Sequence, residues 1–370
     1  MAKYSGPVVS SLFLLVSACI SNFVPETGED NDILVVEGLI TDQSRTTVIK
    51  ISKSYPLGRP MIPRPVRGCH VTITDENHIS YDLKETSDGT YTIDSAEFQG
   101  HIGGIYTLRI YSGSRTYVSS PVKMLPVPPV DTLFFEKETI VEENEWGIPE
   151  EGCRIYLSTY DRVNECLFYR WDFTETWEFN LPYPVPNNRC WITRQSDKIY
   201  IKNTSVYNQA KVTNFPLIFI SNATDRLNIK YSILVNQYSV NEKEYNYWEK
   251  LQNVSENVGG LYDVSPMTIT SNIHCPNRPE EIVLGYFSVS AVSQKRLFIK
   301  ESFSGLPSLY RYNRCFGDTI WGNDTIPGLN IYTWIIEDYI TYKITTREKE
   351  CADCTTRGST TKPYFWDEQY

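Results

Sequence analysis

The sequence lacks the short motifs by which common catalytic sites are recognised. It contains no GxSxG, HExxH, Walker A or GxGxxG pattern, and its four histidines, His70, His78, His101 and His274, are scattered along the chain. Acyl-transfer, zinc-protease, phosphate-binding and dinucleotide-binding sites are each typically marked by one of these patterns. The sequence therefore predicts a protein that is not an enzyme and has neither a cofactor nor a metal site.

Basic residues are also few for a chain of this length. The 370 residues include 35 Lys and Arg against 45 Asp and Glu, which gives a formal net charge of −10. A surface that follows the phosphates of a nucleic acid needs clustered Lys and Arg. Nucleic acid is therefore not an expected partner.

Long apolar runs are missing too, apart from one near the amino terminus. The segment from Val8 to Val16 is mostly apolar and follows the single charge of Lys3. It is too short for a bilayer-spanning helix, which needs about 20 apolar residues. We therefore predict a signal peptide over residues 1–18.

The end of this run, Val16-Ser17-Ala18-Cys19, resembles the lipobox of bacterial lipoproteins. In that class the cysteine thiol takes up a diacylglyceryl group, and the cysteine becomes the first residue of the mature chain. The resemblance predicts lipidation at Cys19, detectable as incorporated palmitate, and attachment to a membrane through the lipid. Residues 19–32 contain Pro, Gly and several acids, and they are predicted to form a flexible tether.

From Ile33 onward the sequence is typical of β structure. Short β-branched runs separated by turn residues recur in ILVVEGLI, TTVIKISKSY, HVTITDEN and GGIYTLRIYSGSRTYVSS. This spacing favours a small antiparallel sandwich. We predict the sandwich over residues 33–125, a proline-rich linker at 126–130 and a larger β-rich domain of the sandwich type over 131–370. The predicted fold class is mainly β.

One segment of the larger domain has helical periodicity. In SVNEKEYNYWEKLQNVSENVGG, Ser239 and Glu242 fit a capping box, and the two glycines at 259–260 fit a helix end. Apolar side chains recur at helical spacing: Tyr247, Leu251, Val254 and Val258. The pattern predicts one amphipathic helix near 240–258, inserted between strands and packed on a sheet.

The stretch LFYRWDFTETWEF is predicted to form a strand that pairs with CRIYLSTYD through a turn at 161–165. Three of its aromatic side chains fall on one face: Tyr169, Trp171 and Phe173. Its carboxylates invite a glycosidase interpretation. Strand alternation argues against it, because Asp172 and Glu178 share one face while Glu175 lies on the other.

Eight cysteines follow Cys19: Cys69, Cys153, Cys166, Cys190, Cys275, Cys315, Cys351 and Cys354. An even number in an extracytoplasmic chain favours disulfides. Cys153 and Cys166 flank the predicted hairpin and are candidates to pair, as are Cys315 and one member of the Cys351/Cys354 couple. A redox pair and a metal half-site remain as alternatives for the CxxC at 351–354.

Six stretches stand out together: ILVVEGLITD, SKSYPLG, RWDFTETWEF, SILVNQYSVNEKEYNYWEKLQ, VLGYFSVSAVSQKRLFI and CADCTTRGSTTKPYFW. In this order they resemble the Bacteroidetes lipoproteins grouped as domain of unknown function 4249, over about residues 33–366. The resemblance implies an outer-membrane lipoprotein with an immunoglobulin-like or carboxypeptidase-regulatory-like β-sandwich as its first domain. Members are often encoded beside TonB-dependent transporters, which implies an accessory role in uptake.

Cys69 departs from the pattern of that family, in which a small residue such as Ala is expected at this position. This departure puts the pairing of all eight cysteines in doubt. The candidate disulfide cysteines are therefore the other seven: Cys153, Cys166, Cys190, Cys275, Cys315, Cys351 and Cys354.

Residues and resemblance together favour a non-enzymatic lipoprotein anchored by lipid to the outer membrane, at the cell surface or on the periplasmic face. The expected partner is a TonB-dependent transporter, and the expected ligand is a peptide or a glycan. The 26 Tyr and 8 Trp motivate an alternative, a surface adhesin or glycan-binding module. A third hypothesis, a hydrolase, needs a cleft that brings a His together with a carboxylate or a nucleophile.

Overall fold

The computed structural model of the protein describes residues 33–54, 64–141, 149–256, 269–300, 315, 317–321, 334–346 and 348–367. The predicted signal peptide, Cys19 and the predicted tether lie outside these ranges. Within the described ranges, no helix combines the length and the apolar character that crossing a membrane requires.

The fold is mainly β, and its sheets form sandwich-like or barrel-like layers. The first nine strands are β1 (Leu34–Thr41), β2 (Thr47–Lys53), β3 (Arg64–Pro65), β4 (His70–Thr74), β5 (Ser80–Ser87), β6 (Thr90–Ile93), β7 (Ile105–Ser112), β8 (Arg115–Ser119) and β9 (Val122–Lys123). The next seven are β10 (Val130–Val141), β11 (Pro149–Asp161), β12 (Phe168–Asn180), β13 (Arg189–Gln195), β14 (Tyr200–Asn203), β15 (Ala210–Ser221) and β16 (Lys230–Val240). Helix α1 (Glu242–Glu256) comes next, and the chain continues with β17 (Ile273–His274), β18 (Val283–Ser290), β19 (Val292–Lys300), β20 (Asp318–Trp321), β21 (Trp334–Asp338) and β22 (Tyr342–Thr346).

The first sheet has eleven strands and is built mostly from the amino-terminal part of the chain. Its order is β17-β8-β7-β4-β5-β6-β2-β1-β18, with β3 added to β2 and β9 to β7. Strands alternate as the sequence predicts. In β7, for example, Tyr106, Leu108 and Ile110 are buried, whereas Arg109 and Tyr111 are exposed. The inward side chains of these strands form one continuous core.

The two ends of this sheet meet through one side chain. The Asn272 amide donates to the Phe287 carbonyl at 2.8 Å, and its oxygen accepts the Phe287 N–H at 3.0 Å. The side chain thereby substitutes for a backbone pairing between the β17 end and β18. This contact gives the first sheet its barrel-like closure.

Two further sheets face each other across a second core. One has the order β10-β11-β15, and the other has the order β13-β12-β16-β19 with β14 added to β12. The aromatic face predicted for β12 is confirmed: Tyr169, Trp171 and Phe173 are all buried in this core. A small sheet, β20-β22-β21, stands beside it.

The predicted hairpin around residues 161–165 is wrong. β11 and β12 follow one another in the chain, but they belong to different sheets. The turn is held by Asp161, whose carboxylate accepts the N–H groups of Val163, Glu165 and Cys166. The aromatic side chains of β12 thus reach the core from the sheet opposite β11, which buries far more surface than a shared face would.

The two parts of the molecule share one continuous run of chain. β18 pairs in parallel with β1, and β19 pairs antiparallel with β16. Only Ala291, which is fully buried, separates them. The loop after β1 reinforces the junction, because Asp42 accepts the Val292 N–H at 2.9 Å and Gln43 donates to the Val292 carbonyl at 3.0 Å. The sequence does not predict that residues 283–290 join the first sheet.

The proline-rich segment at 126–130 is tied to the second core. Gln237 donates to the Pro128 carbonyl at 2.8 Å and to the Thr159 hydroxyl at 3.1 Å, and Thr159 donates to the Pro129 carbonyl at 3.0 Å. Trp171 completes this network by donating to Gln237 at 2.9 Å. The segment is therefore fixed to the sheets that follow it.

Helix α1 begins directly after β16. The predicted capping box is wrong, because Ser239 is a buried residue of β16. Asn241 takes the capping role instead, and its side chain accepts the Glu244 N–H at 3.0 Å. The predicted glycine end at 259–260 lies outside the described residues.

Candidate binding cleft

An open cleft of about 540 Å³ lies between α1 and the outer face of the first sheet. Its walls are mainly apolar and come from β1, β2, β18, α1 and the segment before β17. The aliphatic wall residues are Val35, Leu39, Val48, Leu251, Ile269 and Leu284. A cleft of this size and character is typical of sites for small ligands or for a segment of a partner protein.

Strand alternation places the sheet side of the cleft. In β1, Val36 and Ile40 point into the core, so that Val35 and Leu39 point outward. On this face Val35 and Leu39 present apolar surface, and the exposed Glu37 lies between them. The cleft is the part of this apolar surface that the helix leaves open.

Gly285 makes the close approach of β18 and β1 possible. Its φ is +85°, and a Cβ at this position would lie 2.0 Å from the Val36 carbonyl oxygen. Only glycine combines this backbone conformation with that contact. The residues on both sides of it, Leu284 and Tyr286, line the cleft.

Helix α1 is held from both sides. Tyr245 packs on Phe168 with ring centroids 5.3 Å apart, and Gln252 donates to the Ile199 carbonyl at 2.7 Å, which fixes α1 to the second sandwich. Tyr247 packs on Tyr286 of β18 with centroids 4.8 Å apart, which joins α1 to the first sheet. The cleft thus forms where the two parts of the molecule meet.

An arginine held between aromatic rings lies at the floor of the cleft. The Arg170 guanidinium is 4.7 Å from the Tyr238 ring centroid and 4.6 Å from that of Trp248. Its one ion-pair contact, with Asp172, is long at 3.5 Å. Its Nε is buried and has no hydrogen-bond partner. The ring stacking orients the guanidinium.

A buried carboxylate lies beside this arginine. Glu244 is fully buried and accepts from Trp248 Nε1 at 3.2 Å, while its second oxygen has no partner. Burial raises the pKa of Glu244, against the opposing influence of Ser288 and Arg170. Buried polar atoms without partners are rare.

The sequence did not single out most of these residues. Tyr247 and Leu251 were assigned to a packing stripe, and both line the cleft. Trp248, Arg170 and Glu244 were not proposed as site residues. One signal was available, since Glu244 is a charged residue three positions before the predicted apolar stripe, on the same face of the helix.

The carboxylates of β12 lie apart from each other, as the alternation predicts. Glu175 accepts from the Tyr231 hydroxyl at 2.8 Å and pairs with Arg226 at 3.3 Å. Glu178, on the opposite face, accepts from Trp366 Nε1 at 2.9 Å. Two carboxylates on opposite faces of one strand cannot flank a single glycosidic bond.

Four of the seven candidate cysteines form two disulfides. Cys190 bonds to Cys354, and Cys315 bonds to Cys351, with Cα atoms 5.8 and 5.5 Å apart. The predicted bond of Cys315 to one member of the couple is confirmed. Because the two members bond to different partners, the CxxC forms neither a redox pair nor a metal half-site here. The described residues contain no group of three His, Cys, Asp or Glu able to hold a metal ion.

The predicted pairing of Cys153 with Cys166 is wrong, and Cys275 is also free. Cys153 lies eight residues before Asp161, whereas the Cys166 N–H donates to the Asp161 carboxylate at 2.7 Å. Eight residues of strand separate the two cysteines by roughly 25 Å, far beyond the roughly 7 Å that a disulfide permits between Cα atoms. Burial raises the pKa of both thiols to about 12, so they are inert packing residues. Cys69 is free as well.

Comparison with known proteins gives one clear finding. No curated protein matches the chain. A family profile described as "Domain of unknown function (DUF4249)" matches residues 20–296. The matched region begins directly after Cys19 and includes all the cleft residues, whereas the small sheet β20-β22-β21 and the disulfide-bonded tail lie beyond it. Because the match covers well over half of the sequence, the chain belongs to the domain of unknown function 4249 family.

Proposed function

We propose that this protein is a non-enzymatic lipoprotein of the outer membrane that serves as an accessory or binding subunit of a TonB-dependent transporter in nutrient uptake. The cleft between α1 and the first sheet is its binding site. The observation that carries the proposal is the combination of apolar walls with a few charged side chains that also line the cleft, Glu37, Lys50 and Arg170.

The shape of the cleft supports binding of an apolar segment. Its walls offer aliphatic and aromatic surface, which favours burial of an apolar side chain or ring. Two charged side chains that line the cleft, Lys50 and Glu37, provide a donor and an acceptor. A peptide segment has matching groups, since each residue carries an N–H and a carbonyl beside its side chain.

The position of the cleft along the chain supports a partner in the membrane. Val35 lines the cleft and follows shortly after the predicted tether of residues 19–32. A tether of this length spans at most about 50 Å when fully extended. An acylated Cys19 would therefore keep the cleft close to the bilayer that holds the transporter. Two or three acyl chains suffice for stable anchoring.

The architecture of the first unit belongs to the same proposal. We assign residues 33–125 to an immunoglobulin-like or carboxypeptidase-regulatory-like β-sandwich. The antiparallel pairings of β4 with β5 and of β7 with β8, around one apolar core, support the assignment.

Affinity purification from detergent-solubilised membranes tests the proposed partner. A Leu251→Arg variant places a charge in the cleft, and Val254→Arg is its matched control, because Val254 lies one turn further along α1, is 38% exposed and does not line the cleft. We expect the wild type and Val254→Arg to recover a TonB-dependent barrel and Leu251→Arg to lose it. Equal recovery by both variants, or no barrel with the wild type, would contradict the proposal.

A further inference from the structure

A second depression, of about 500 Å³, lies on the outer face of β4, β5 and β7. It is polar, in contrast to the cleft. Strand register sets its floor: Thr72 stands opposite Asp82 on one side and Arg109 on the other, and His70 stands opposite Tyr111. All five side chains belong to one face of the sheet, since they alternate with core residues.

Several of these side chains are held in place before any ligand arrives. His70 Nε2 lies 2.8 Å from Asp82 Oδ1. The His70 ring also stacks on Tyr111, with ring centroids 5.4 Å apart and planes inclined by 20°. The side chains of the floor thus contact one another across neighbouring strands.

One cation in the depression, Arg109, is available to bind a ligand. The exposed Arg109 guanidinium makes no hydrogen bond or ion pair with any residue that the structure describes. Two positions further along the same face of β7, Tyr111 keeps 39% of its surface exposed. Two positions on a strand are about 7 Å apart, so a sugar ring packed on Tyr111 lies within reach of the long Arg109 side chain.

We infer that this depression binds an acidic saccharide of the hexuronic acid class. The C–H face of the pyranose ring packs against Tyr111, whose electron-rich π face attracts polarised C–H groups. The uronate carboxylate forms a bidentate pair with Arg109. The Thr72 hydroxyl, His70 and Asp82 supply donors and acceptors for ring hydroxyls.

Asp82 distinguishes this ligand from a simple anion. Its carboxylate lies across Thr72 from Arg109 and would repel an inorganic phosphate that filled the depression. The hydroxyl groups of a sugar, by contrast, donate readily to a carboxylate. The site therefore combines a cation for one end of the ligand with an acceptor for the other. This inference concerns a different surface from the cleft and does not depend on the role proposed there.

Calorimetric titration of the full chain in detergent with trigalacturonate tests the inference. Arg109→Gln and Tyr111→Ala are each expected to weaken binding at least about tenfold. The charge-matched control Arg162→Gln, in the turn after β11, should leave it unchanged. Arg109→Lys should fall between the wild type and Arg109→Gln, because it keeps the charge but loses the bidentate geometry.

Neutral maltotriose and inorganic phosphate complete the experiment. Both are expected to bind at least about tenfold more weakly than trigalacturonate. Equal binding of maltotriose would overturn the assignment to acidic sugars, and equal binding of phosphate would reduce the site to a simple anion site. Absence of trigalacturonate binding, or binding that survives in both Arg109→Gln and Tyr111→Ala, would overturn the site itself. Equal thermal unfolding midpoints of the variants show that each is folded.

Discussion

Two charged residues near the cleft, Glu244 and Arg170, lie in apolar or aromatic surroundings. Glu244 is fully buried, and Arg170 is stacked between Tyr238 and Trp248. Burial of a carboxylate without full hydrogen bonding normally lowers stability. We therefore expect Glu244 to lower the stability of the folded protein at neutral pH.

The raised pKa of Glu244 predicts a particular pH dependence of stability. Its folded-state pKa lies above the ordinary value of 4.5 because of burial, so the folded protein keeps a proton that the unfolded chain has released. The contribution to the free energy of unfolding is therefore fully present below the unfolded-state pKa and is lost as the pH rises through the folded-state pKa. Glu244→Gln removes this dependence and is expected to be more stable than the wild type at neutral pH.

Urea unfolding of both proteins between about pH 4 and pH 8 measures this difference. The gap in free energy of unfolding should widen in favour of Glu244→Gln as the pH rises. A gap that does not vary with pH would show that Glu244 has an ordinary pKa in the folded protein.

At the residue scale, the sequence correctly predicted which side chains of a strand point into the core, because this follows from strand alternation. The inward and outward positions of β7 and β12 follow directly from a period of two. The cysteine bonds did not follow, because they depend on which sheet each strand joins. Cys153 and Cys166 are close in sequence, yet they lie at different places in the second core.

At the scale of elements, β18 holds the first sheet closed and forms one wall of the cleft. Its parallel pairing with β1 depends on Gly285, where a Cβ would overlap the Val36 carbonyl. A methyl group added at Gly285 should therefore disrupt the pairing of β18 with β1.

Gly285→Ala is expected to destabilise the protein by about 3 kcal/mol or more, from the clash together with the strained backbone. Gly103→Ala is the matched control, because Gly103 has a similar φ of +91° but nothing within 4 Å of an added Cβ. It should cost only about 1 kcal/mol. Chemical denaturation measures the free energy of unfolding of both variants. Equal losses of stability would show that the space between β18 and β1 tolerates an added Cβ.

The carboxyl-terminal tail is joined to the second sandwich by the Cys190–Cys354 disulfide, and Trp366 of the tail is buried against Glu178. Replacing both cysteines by Ser should lower the free energy of unfolding by about 2–5 kcal/mol. Cys69→Ser removes a thiol without breaking a bond and should cost about 1 kcal/mol or less. Thermal unfolding under non-reducing conditions checks this, and similar losses for the two variants would contradict a stabilising role for the bond.

Helix α1 illustrates the limits of prediction at this scale. Its existence and approximate bounds followed from periodicity, but its start did not. β16 runs to Val240, so the serine at 239 belongs to a strand, and Asn241 caps the helix instead. A strand that leads directly into a helix shows no change of composition at the border, so the sequence pattern alone does not locate it.

At the scale of the whole molecule, the two parts are joined by the run from Val283 to Lys300, which belongs to sheets of both. The fixed segment at 126–130 adds a second connection. We therefore expect the two parts to unfold as one unit. The distribution of tryptophan offers a direct probe, because all eight Trp lie after residue 140.

Urea unfolding followed by tryptophan fluorescence reports only the later part of the chain, whereas far-UV circular dichroism reports both parts. The two transitions are expected to coincide, and Gly285→Ala should shift both by the same amount. Two separate transitions would show that the shared strand run does not couple the two parts.

The sequence predicted the fold class and the order of elements, but not this coupling. A parallel partner for β1 lies some 250 residues away, and nothing in VLGYFSVS indicates which sheet it joins. The cleft depends on that distant pairing. The cleft could not be predicted from the residues of α1 alone, because Tyr247 and Leu251 have the spacing of ordinary packing residues.

We propose that the cleft contacts a transporter in the membrane. The most direct measurement is site-specific photo-crosslinking in cells, with benzoylphenylalanine at Leu251 in the cleft or, as a control, at the exposed Tyr207. We expect position 251 to give a crosslinked product that contains a peptide of a TonB-dependent barrel, and position 207 to give no such product. Absence of any barrel peptide at position 251, or equal products at both positions, would contradict it.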